Sequence, residues 1–197
     1  MRSVLQFGHR LGMGLASRFR NIYYRALGVQ MTGYVWLRRI EIARNWGDVL
    51  LEKGVSLDTG VVIVTGGPPK PGKVHMGAGT YVNRYTIFDG HECIQIGRNC
   101  MIGPQCYITD GDHGKEPGRS VKDQPMRSAP VIIEDEVWIG SHVVILPGVR
   151  IGKGAVIGAG SVVTRSIPAN AIAVGVPARV VRIRGEQRAV ACDKAKA

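Results

Sequence analysis

Residues 131–163 read VIIEDEVWIGSHVVILPGVRIGKGAVIGAGSVV, with a large aliphatic residue at every sixth position. The same spacing extends upstream, and the aliphatic positions are Ile96, Ile102, Ile108, Ile133, Ile139, Ile145, Ile151, Ile157 and Val163. A small or β-branched residue follows four positions after all of these except Ile108: Cys100, Cys106, Val137, Val143, Val149, Ala155, Ser161 and Ile167. A period of six fits neither a helix nor a simply alternating strand. We therefore predict a corner every six residues and a prism of short parallel strands, with three hexapeptides to a coil.

Glycine is the second regular feature of the repeats. The chain has 27 glycines, and five of them directly follow a repeat aliphatic: Gly97, Gly103, Gly140, Gly152 and Gly158. Glycine adopts positive φ without steric cost. We expect these five to mark corners at which φ is positive.

Composition narrows the class of partner. Lys and Arg number 26 against 15 Asp and Glu, a formal charge of +11, so anionic partners are favoured. The usual signatures of nucleic-acid binding are missing, and we expect phosphorylated metabolites or a membrane surface rather than nucleic acid. The cysteines are Cys93, Cys100, Cys106 and Cys192, without a CxxC pair, so neither a zinc site nor a redox pair is predicted.

The first 45 residues form a predicted basic helical segment, with a helix to about residue 28. Apolar residues recur in it at three- and four-residue steps: Val4, Phe7, Leu11, Leu15, Phe19 and Ile22. This stripe either packs on the prism or a neighbouring subunit, or lies on an anionic membrane. Because Arg10, Arg18 and Arg20 interrupt the apolar residues, we expect neither a signal peptide nor a spanning helix. The expected location is the cytoplasm, with the inner face of the membrane as an option.

The predicted β-helix occupies residues 46–183. Its repeats begin faintly after Trp46, and GGPPKPGK at residues 66–73 interrupts them as a corner excursion. A longer loop, residues 109–130, leaves the prism between Ile108 and Ile133, and loops of this length are commonly functional. Residues 184–197 are read as a polar tail.

His113 is the strongest candidate for a catalytic residue. It lies in TDGDHG, residues 109–114, at the root of the long loop, where a rigid scaffold can position it beside a groove. Asp110 and Asp112 flank it, and a carboxylate accepting from one ring nitrogen would fix its tautomer and support its role as a base. The alternative for both aspartates is ordinary turn formation.

The run at residues 137–182, VWIGSHVVILPGVRIGKGAVIGAGSVVTRSIPANAIAVGVPARVVR, resembles the hexapeptide-repeat acyltransferases, above all the sugar O-acetyltransferases of the galactoside and maltose type. The resemblance covers roughly residues 76–183. It implies an all-β fold, a left-handed parallel β-helix, assembled as a homotrimer. It also implies acetyl-CoA as acyl donor, no metal, and His113 as the catalytic histidine.

The same resemblance suggests binding residues. The positions that match the pantetheine groove are Ser141, Ala159, Thr164 and Arg165, and Trp138 would lie near the thioester. Arg179 and Arg182 match basic residues near the adenine nucleotide, and Asn83 and Asp89 fall where the family binds sugar hydroxyls. Without the resemblance, Trp138 would be interpreted as a surface aromatic and Arg179 and Arg182 as part of a solvated basic face. Asn83 and Asp89 would be ordinary corner residues.

We thus expect acetyl transfer from acetyl-CoA to a hydroxyl of a sugar, free or linked to a nucleotide or lipid, in the biosynthesis of surface polysaccharide or lipopolysaccharide. The rivals are N-acetylation of an amino sugar or xenobiotic, and a non-catalytic interaction subunit. The γ-class carbonic anhydrases share the fold and bind zinc through three histidines, but this chain lacks a closely spaced histidine pair. We therefore expect His142 to be an outward-facing surface residue.

Overall fold

The computed structural model describes residues 2–186, without the side chains of residues 2–7 and 9. One helix, α1 (Arg2–Ala26), precedes the strands, which are numbered β1 to β22 in chain order. Short 3-10 turns occur at Trp46–Asp48 and Val121–Asp123. Within the described residues, no helix is both long and apolar enough to cross a membrane.

Three parallel sheets form the faces of the prism. Face 1 contains β1 (Gln30–Met31), β4 (Val49–Leu51), β7 (Val74–Met76), β10 (Ile94–Ile96), β15 (Val131–Ile133) and β18 (Arg150–Ile151). Face 2 contains β2 (Trp36–Leu37), β5 (Ser56–Leu57), β8 (Tyr81–Val82), β11 (Met101–Ile102), β16 (Trp138–Ile139), β19 (Val156–Ile157), β21 (Ala171–Gly175) and β22 (Ala178–Ile183). Face 3 contains β3 (Glu41–Arg44), β6 (Val62–Thr65), β9 (Ile87–Gly90), β12 (Tyr107–Thr109), β17 (Val144–Ile145) and β20 (Val162–Val163).

Within each coil the chain passes through faces 1, 2 and 3 in turn. We name two of the edges between the faces. Edge 2–3 follows a strand of face 2, and edge 3–1 follows a strand of face 3. Each strand pairs with the strands one coil before and after it, as Tyr107–Ile108 do with Ile87–Phe88 and Val144–Ile145. The predicted parallel β-helix is therefore confirmed.

The repeat residues fill the axis of the prism. All nine predicted aliphatic positions are at most 2% exposed, and the small slot, from Cys100 to Ile167, is at most 5% exposed. Ser161 fits among these apolar residues because its hydroxyl donates to the carbonyl of Gly158 and accepts from the amide of Gly175. Burial of large and small residues at fixed intervals is thus the main apolar stabilisation of the fold.

The first coil begins earlier than the sequence suggested. Helix α1 ends at Ala26, and β1, β2 and β3 pair in register with β4, β5 and β6. Residues 30–44 are therefore a coil of the prism, although we had assigned them to the helical segment. Val29, Val35 and Leu37 supply buried side chains at the spacing of the repeat. The next buried aliphatic is Ile42, five residues after Leu37, so the period of six breaks within this coil.

Our explanation of the repeat glycines was wrong. Positive φ occurs later in each corner, at residues such as Asn99, Gln105 and Gly160, and not at Gly97 or Gly103. A Cβ on Gly103 would lie 2.6 Å from the carbonyl carbon of Gly140, in the coil above. Glycine is required there because the coils stack too closely for a side chain.

Two irregular elements complete the described chain. The long loop is an antiparallel hairpin stem, β13 (Gly111–His113) and β14 (Met126–Ser128), whose tip is folded around the buried Gln124. The Gln124 side chain bonds to the backbone of Glu116 and Arg119. At the other end, β22 folds back antiparallel on β21. Of the predicted tail, residues 187–197 lie outside the described residues.

Candidate active site

His113 lies at the start of the hairpin on edge 3–1. Its strand β13 follows β12 directly, and His113 pairs across the stem with Met126. The turn between the two strands is held by Thr109, whose hydroxyl accepts from the amide of Gly111. The imidazole is exposed and has no hydrogen-bond partner among the described residues. Both ring nitrogens are therefore accessible to a substrate.

Asp110 does not orient His113. Its carboxylate is fully buried and accepts hydrogen bonds from the amides of His91, Glu92 and Cys93, at 2.6, 2.8 and 2.5 Å. These amides belong to the corner one coil below. Our interpretation of Asp110 as a partner of the catalytic ring is wrong, because all its bonds serve to fasten two coils together.

Asp112 also faces away from the ring in its hydrogen bonding. It accepts from the backbone amide of His113 and pairs with the ammonium group of Lys115. The hydrogen bond from Lys115 lowers the pKa of Asp112, so the carboxylate is ionised at neutral pH. This is the turn chemistry that we had considered as the alternative.

A pair that the sequence did not reveal lies one coil below. His91 Nε2 is 3.3 Å from one oxygen of Asp89, and the other oxygen accepts from the Tyr107 hydroxyl at 2.9 Å. The ring is wedged between coils, since a Cβ on Gly66 or Gly111 would overlap it. The spacing of Asp89 and His91 was a signal, but it gave no indication that Tyr107 would join them.

A cavity of about 240 Å³ lies on the hairpin, and its lining begins at Gly114, the residue after His113. It is lined by Gly114, Glu116, Pro117, Arg119, Gln124, Pro125 and Arg127. Glu116 pairs with Arg127 at 2.6 Å, whereas Arg119 is exposed. The cavity therefore offers room and positive charge on the hairpin that carries His113.

Predicted pantetheine residues Ser141 and Ala159 lie together on edge 2–3. They occupy successive coils, and the amide of Gly160 donates to the carbonyl of Ser141 at 2.8 Å. A Cβ on Gly160 would meet nothing within 4 Å, so the edge is open at this point. Trp138 lies on face 2 and is 51% exposed. An extended chain could approach the backbone here, as a pantetheine arm requires.

Arg179 and Arg182 lie on the last strand, β22. Both are exposed, and they pair in register with Val174 and Ile172 on face 2. Arg179 donates one hydrogen bond to the carbonyl of Ala178, which leaves most of its donors available. Exposed guanidinium groups at this position fit the phosphates of a nucleotide.

The remaining predicted residues divide between the two edges. Asn83 follows β8 on edge 2–3, where its side-chain oxygen Oδ1 accepts a hydrogen bond from the backbone amide of Arg84. Thr164 and Arg165 follow β20 on edge 3–1 and are exposed. Edge 3–1 thus carries His113, with Asp89 in strand β9 just before the same edge one coil below, and edge 2–3 carries Ser141 and Ala159. A single chain does not bring the two sets together.

A metal centre finds no support in residues 2–186. No group of three or more His, Cys, Asp or Glu side chains is arranged there to hold an ion. His142 is exposed at a corner with φ of 56°, where the sequence placed it as an outward-facing residue.

Comparison with known proteins gives the site its context. Residues 130–165 match the family model for the bacterial transferase hexapeptide, six repeats. The galactoside O-acetyltransferase of Escherichia coli K12 is 46% identical over 110 residues, which are 55% of this chain and 53% of that protein. The putative lipopolysaccharide biosynthesis O-acetyl transferase WbbJ, also from Escherichia coli K12, is 39% identical over 109 residues, 51% of this chain and 56% of that protein. The chain thus spans about half the length of these relatives.

A solved structure extends the likeness to most of the fold. A hexapeptide-repeat-containing acetyltransferase from Vibrio cholerae, crystallised with acetyl coenzyme A, superposes with a TM-score of 0.62 at 25% identity, over 86% of this chain and 78% of that one. Residues 130–165 therefore carry the bacterial transferase hexapeptide repeat, and the chain has the left-handed β-helical fold of the hexapeptide-repeat acetyltransferases.

Proposed function

We propose that the protein transfers an acetyl group from acetyl-CoA to a hydroxyl of a sugar. The observation that carries the proposal is His113, an exposed imidazole at the rigid root of a hairpin. The open edge at Gly160 and the exposed arginines of β22 supply a second part, suited to a long phosphorylated thioester.

The chemistry asks little of the chain. Acetyl-CoA supplies the acetyl group as an activated thioester. His113 accepts the proton of the sugar hydroxyl as the oxygen forms its bond to the acetyl carbon. The carbon–sulfur bond breaks, and the proton passes to the departing thiolate, so that the products are an ester and CoA. Backbone amides along the groove would stabilise the oxyanion, and Arg179 and Arg182 would bind the nucleotide phosphates.

The proposed acceptor is a sugar, either free or linked to a nucleotide or lipid, in the biosynthesis of surface polysaccharide or lipopolysaccharide. The names of the relatives support this class, since one acts on galactosides and the other is assigned to lipopolysaccharide biosynthesis. The cavity of the hairpin, with Arg119 at its wall, suits an acceptor that carries phosphate. Asn83 on edge 2–3 and Asp89 in strand β9 of face 3 would bind sugar hydroxyls.

The division of the residues between two edges supports a homotrimer. Edge 3–1 of one subunit and edge 2–3 of its neighbour would together form one groove, and three such grooves close a ring. We place this trimer in the cytoplasm, since its proposed donor is acetyl-CoA.

The first experiment compares three histidine variants by release of CoA thiol. His113→Ala should lower kcat by about 10²- to 10⁴-fold, the usual cost of losing a general base, without a change in CoA affinity. His75→Asn is the matched control, because His75 lies in β7 on face 1, away from edge 2–3 and edge 3–1. It should keep normal turnover. Full activity in His113→Ala would overturn the assignment, and loss in His91→Ala alone would move the base to His91.

The acceptor is tested with matched pairs of hydroxyl and amine. Galactosides, nucleotide-linked sugars and lipid-linked sugars are offered beside the corresponding amino sugars. We expect turnover with the hydroxyl compounds. Turnover confined to the amines would indicate an N-acetyltransferase, and a chain that neither binds CoA nor releases thiol would be a non-catalytic subunit.

A further inference from the structure

Helix α1 is attached to the prism by its polar side. The Ser17 hydroxyl accepts from the amide of Leu37 at 2.9 Å, and the Asn21 side chain bonds to both the carbonyl and the amide of Val35, at 2.7 and 3.1 Å. The Tyr24 hydroxyl donates to the carbonyl of Ile40. The helix thereby satisfies backbone groups of β2, the first strand of face 2, and covers an edge that would otherwise be open.

This attachment leaves the apolar side of the helix uncovered. Five large side chains on it are between 52% and 70% exposed: Leu11, Leu15, Phe19, Ile22 and Tyr23. They recur at three- and four-residue steps, so they form one continuous stripe. The side chains of Val4 and Phe7 lie outside the described set. A stripe of this kind on a monomer marks a binding surface.

Positive charge flanks the stripe on both sides. Arg18 and Arg25 lie along one flank, and each is fixed to the prism, Arg18 over the ring of Tyr34 and Arg25 by a bond to the carbonyl of Gly33. The other flank opens on a cavity of about 390 Å³ whose lining includes Arg20, Arg38 and Arg39. Helix α1 itself contains no Asp or Glu.

We propose that this stripe and its arginines dock the protein on an anionic lipid bilayer. The helix would lie in the plane of the interface, with its apolar side chains among the acyl chains and its flanking guanidinium groups at the level of the lipid phosphates. Arg38 is paired with Asp58, so Arg20 and Arg39 are the cavity residues left for a phosphate. A bilayer fits better than a protein partner because both flanks of the stripe have the same charge.

Vesicle sedimentation tests the apolar contact. The full chain should bind vesicles of phosphatidylcholine with phosphatidylglycerol at low salt, bind less at high salt, and ignore vesicles of phosphatidylcholine alone. Leu15→Ser/Phe19→Ser should weaken binding by about tenfold or more, since two apolar side chains that would be buried in the bilayer are lost. Val121→Ser is the matched control, as Val121 is 52% exposed on the hairpin. It should bind like the wild type.

A second pair of variants tests the charge. Arg39→Gln should weaken binding about fivefold, which corresponds to about 1 kcal/mol for one basic residue at the surface. Lys122→Gln removes an equal charge from the hairpin and should have little effect. Release of CoA thiol with an acceptor free in solution should be normal in every one of these variants, so docking and catalysis can fail separately.

The proposal is overturned if the full chain does not bind the anionic vesicles at low salt, or if Leu15→Ser/Phe19→Ser binds as the wild type does. Sedimentation velocity without lipid examines a second copy as the occupant. If the wild type forms a larger oligomer than the double variant, the stripe is an interface between copies and the membrane proposal is wrong.

Discussion

Asp110 shows how one residue can be conspicuous in the sequence for a structural reason. It is adjacent to the loop and to His113, yet its carboxylate is consumed by three backbone amides of the corner at residues 91–93. A buried carboxylate that accepts several backbone hydrogen bonds fixes the conformation of a corner. Sequence reasoning had no access to this bond, because the amides lie in another coil.

We predict that Asp110→Ala will destabilise the fold by about 3 kcal/mol or more, since three partly buried backbone donors lose a charged acceptor. Urea unfolding measures the loss as a lower midpoint. Asp112→Ala is the matched control two residues away. Its carboxylate is exposed and should contribute little. Equal losses in the two variants would contradict the role assigned to Asp110.

The strands were predictable from the sequence where the period of six is regular. They were not predictable where that period is interrupted. From Ile96 onward, every position that the repeat named is buried. The first coil was missed because the period of six breaks between Leu37 and Ile42. The excursion at residues 66–73 is held by Lys73, which is 1% exposed and contacts Asp48 at 2.7 Å and the carbonyls of Gly66 and Pro68. A lysine in a Pro/Gly-rich segment gives no sign that it will be buried.

The candidate site was predictable to the same degree. The resemblance assigned roles to His113 and to the residues of edge 2–3, and these roles stay predictions. The contacts of Asp89 with His91 and Tyr107 were not predictable, since they form only when successive coils stack. The direction in which helix α1 faces was equally hidden, because both of its sides could plausibly meet the prism.

Asp58 connects the first three coils along edge 2–3. It pairs with Arg38 at 3.3 Å and with Arg84 at 3.5 Å, and it accepts from the amide of Thr59 and the hydroxyl of Tyr81. Burial acts to raise the pKa of Asp58, but these donors and charges together lower it below its usual 3.8. The ionised form is therefore the one that stabilises the fold.

The pH dependence follows from this sign. A lowered pKa in the folded state means that the stabilisation is complete above pH 3.8 and is lost as the pH falls through the folded-state pKa. Asp58→Asn should be less stable than the wild type near neutral pH, and the difference should shrink in acid. Urea unfolding over a pH series measures it, with the exposed Asp123→Asn as control. A difference that stays constant into acid would show that the charge of Asp58 does not matter.

The whole molecule is a prism whose two candidate edges point in different directions. His113 lies on edge 3–1, and Ser141 and Ala159 lie on edge 2–3. A rigid stack of coils cannot fold one edge onto the other. If the proposed reaction takes place, each catalytic groove needs edge 3–1 of one copy and edge 2–3 of another. The reaction then requires the oligomer.

Subunit mixing tests this directly. His113→Ala alone should be inactive, and Arg179→Ala/Arg182→Ala alone should have a raised KM for acetyl-CoA, since each charge-assisted bond to phosphate contributes about 1.5 to 3 kcal/mol. When the two variants are unfolded together in equal amounts and refolded, some grooves combine the intact His113 edge of one subunit with the intact arginines of its neighbour. Random assembly makes this about one quarter of all grooves, because each of the two edges is intact with equal chance. At low acetyl-CoA the mixture should therefore recover about a quarter of wild-type activity, whereas a site contained within one chain would recover none.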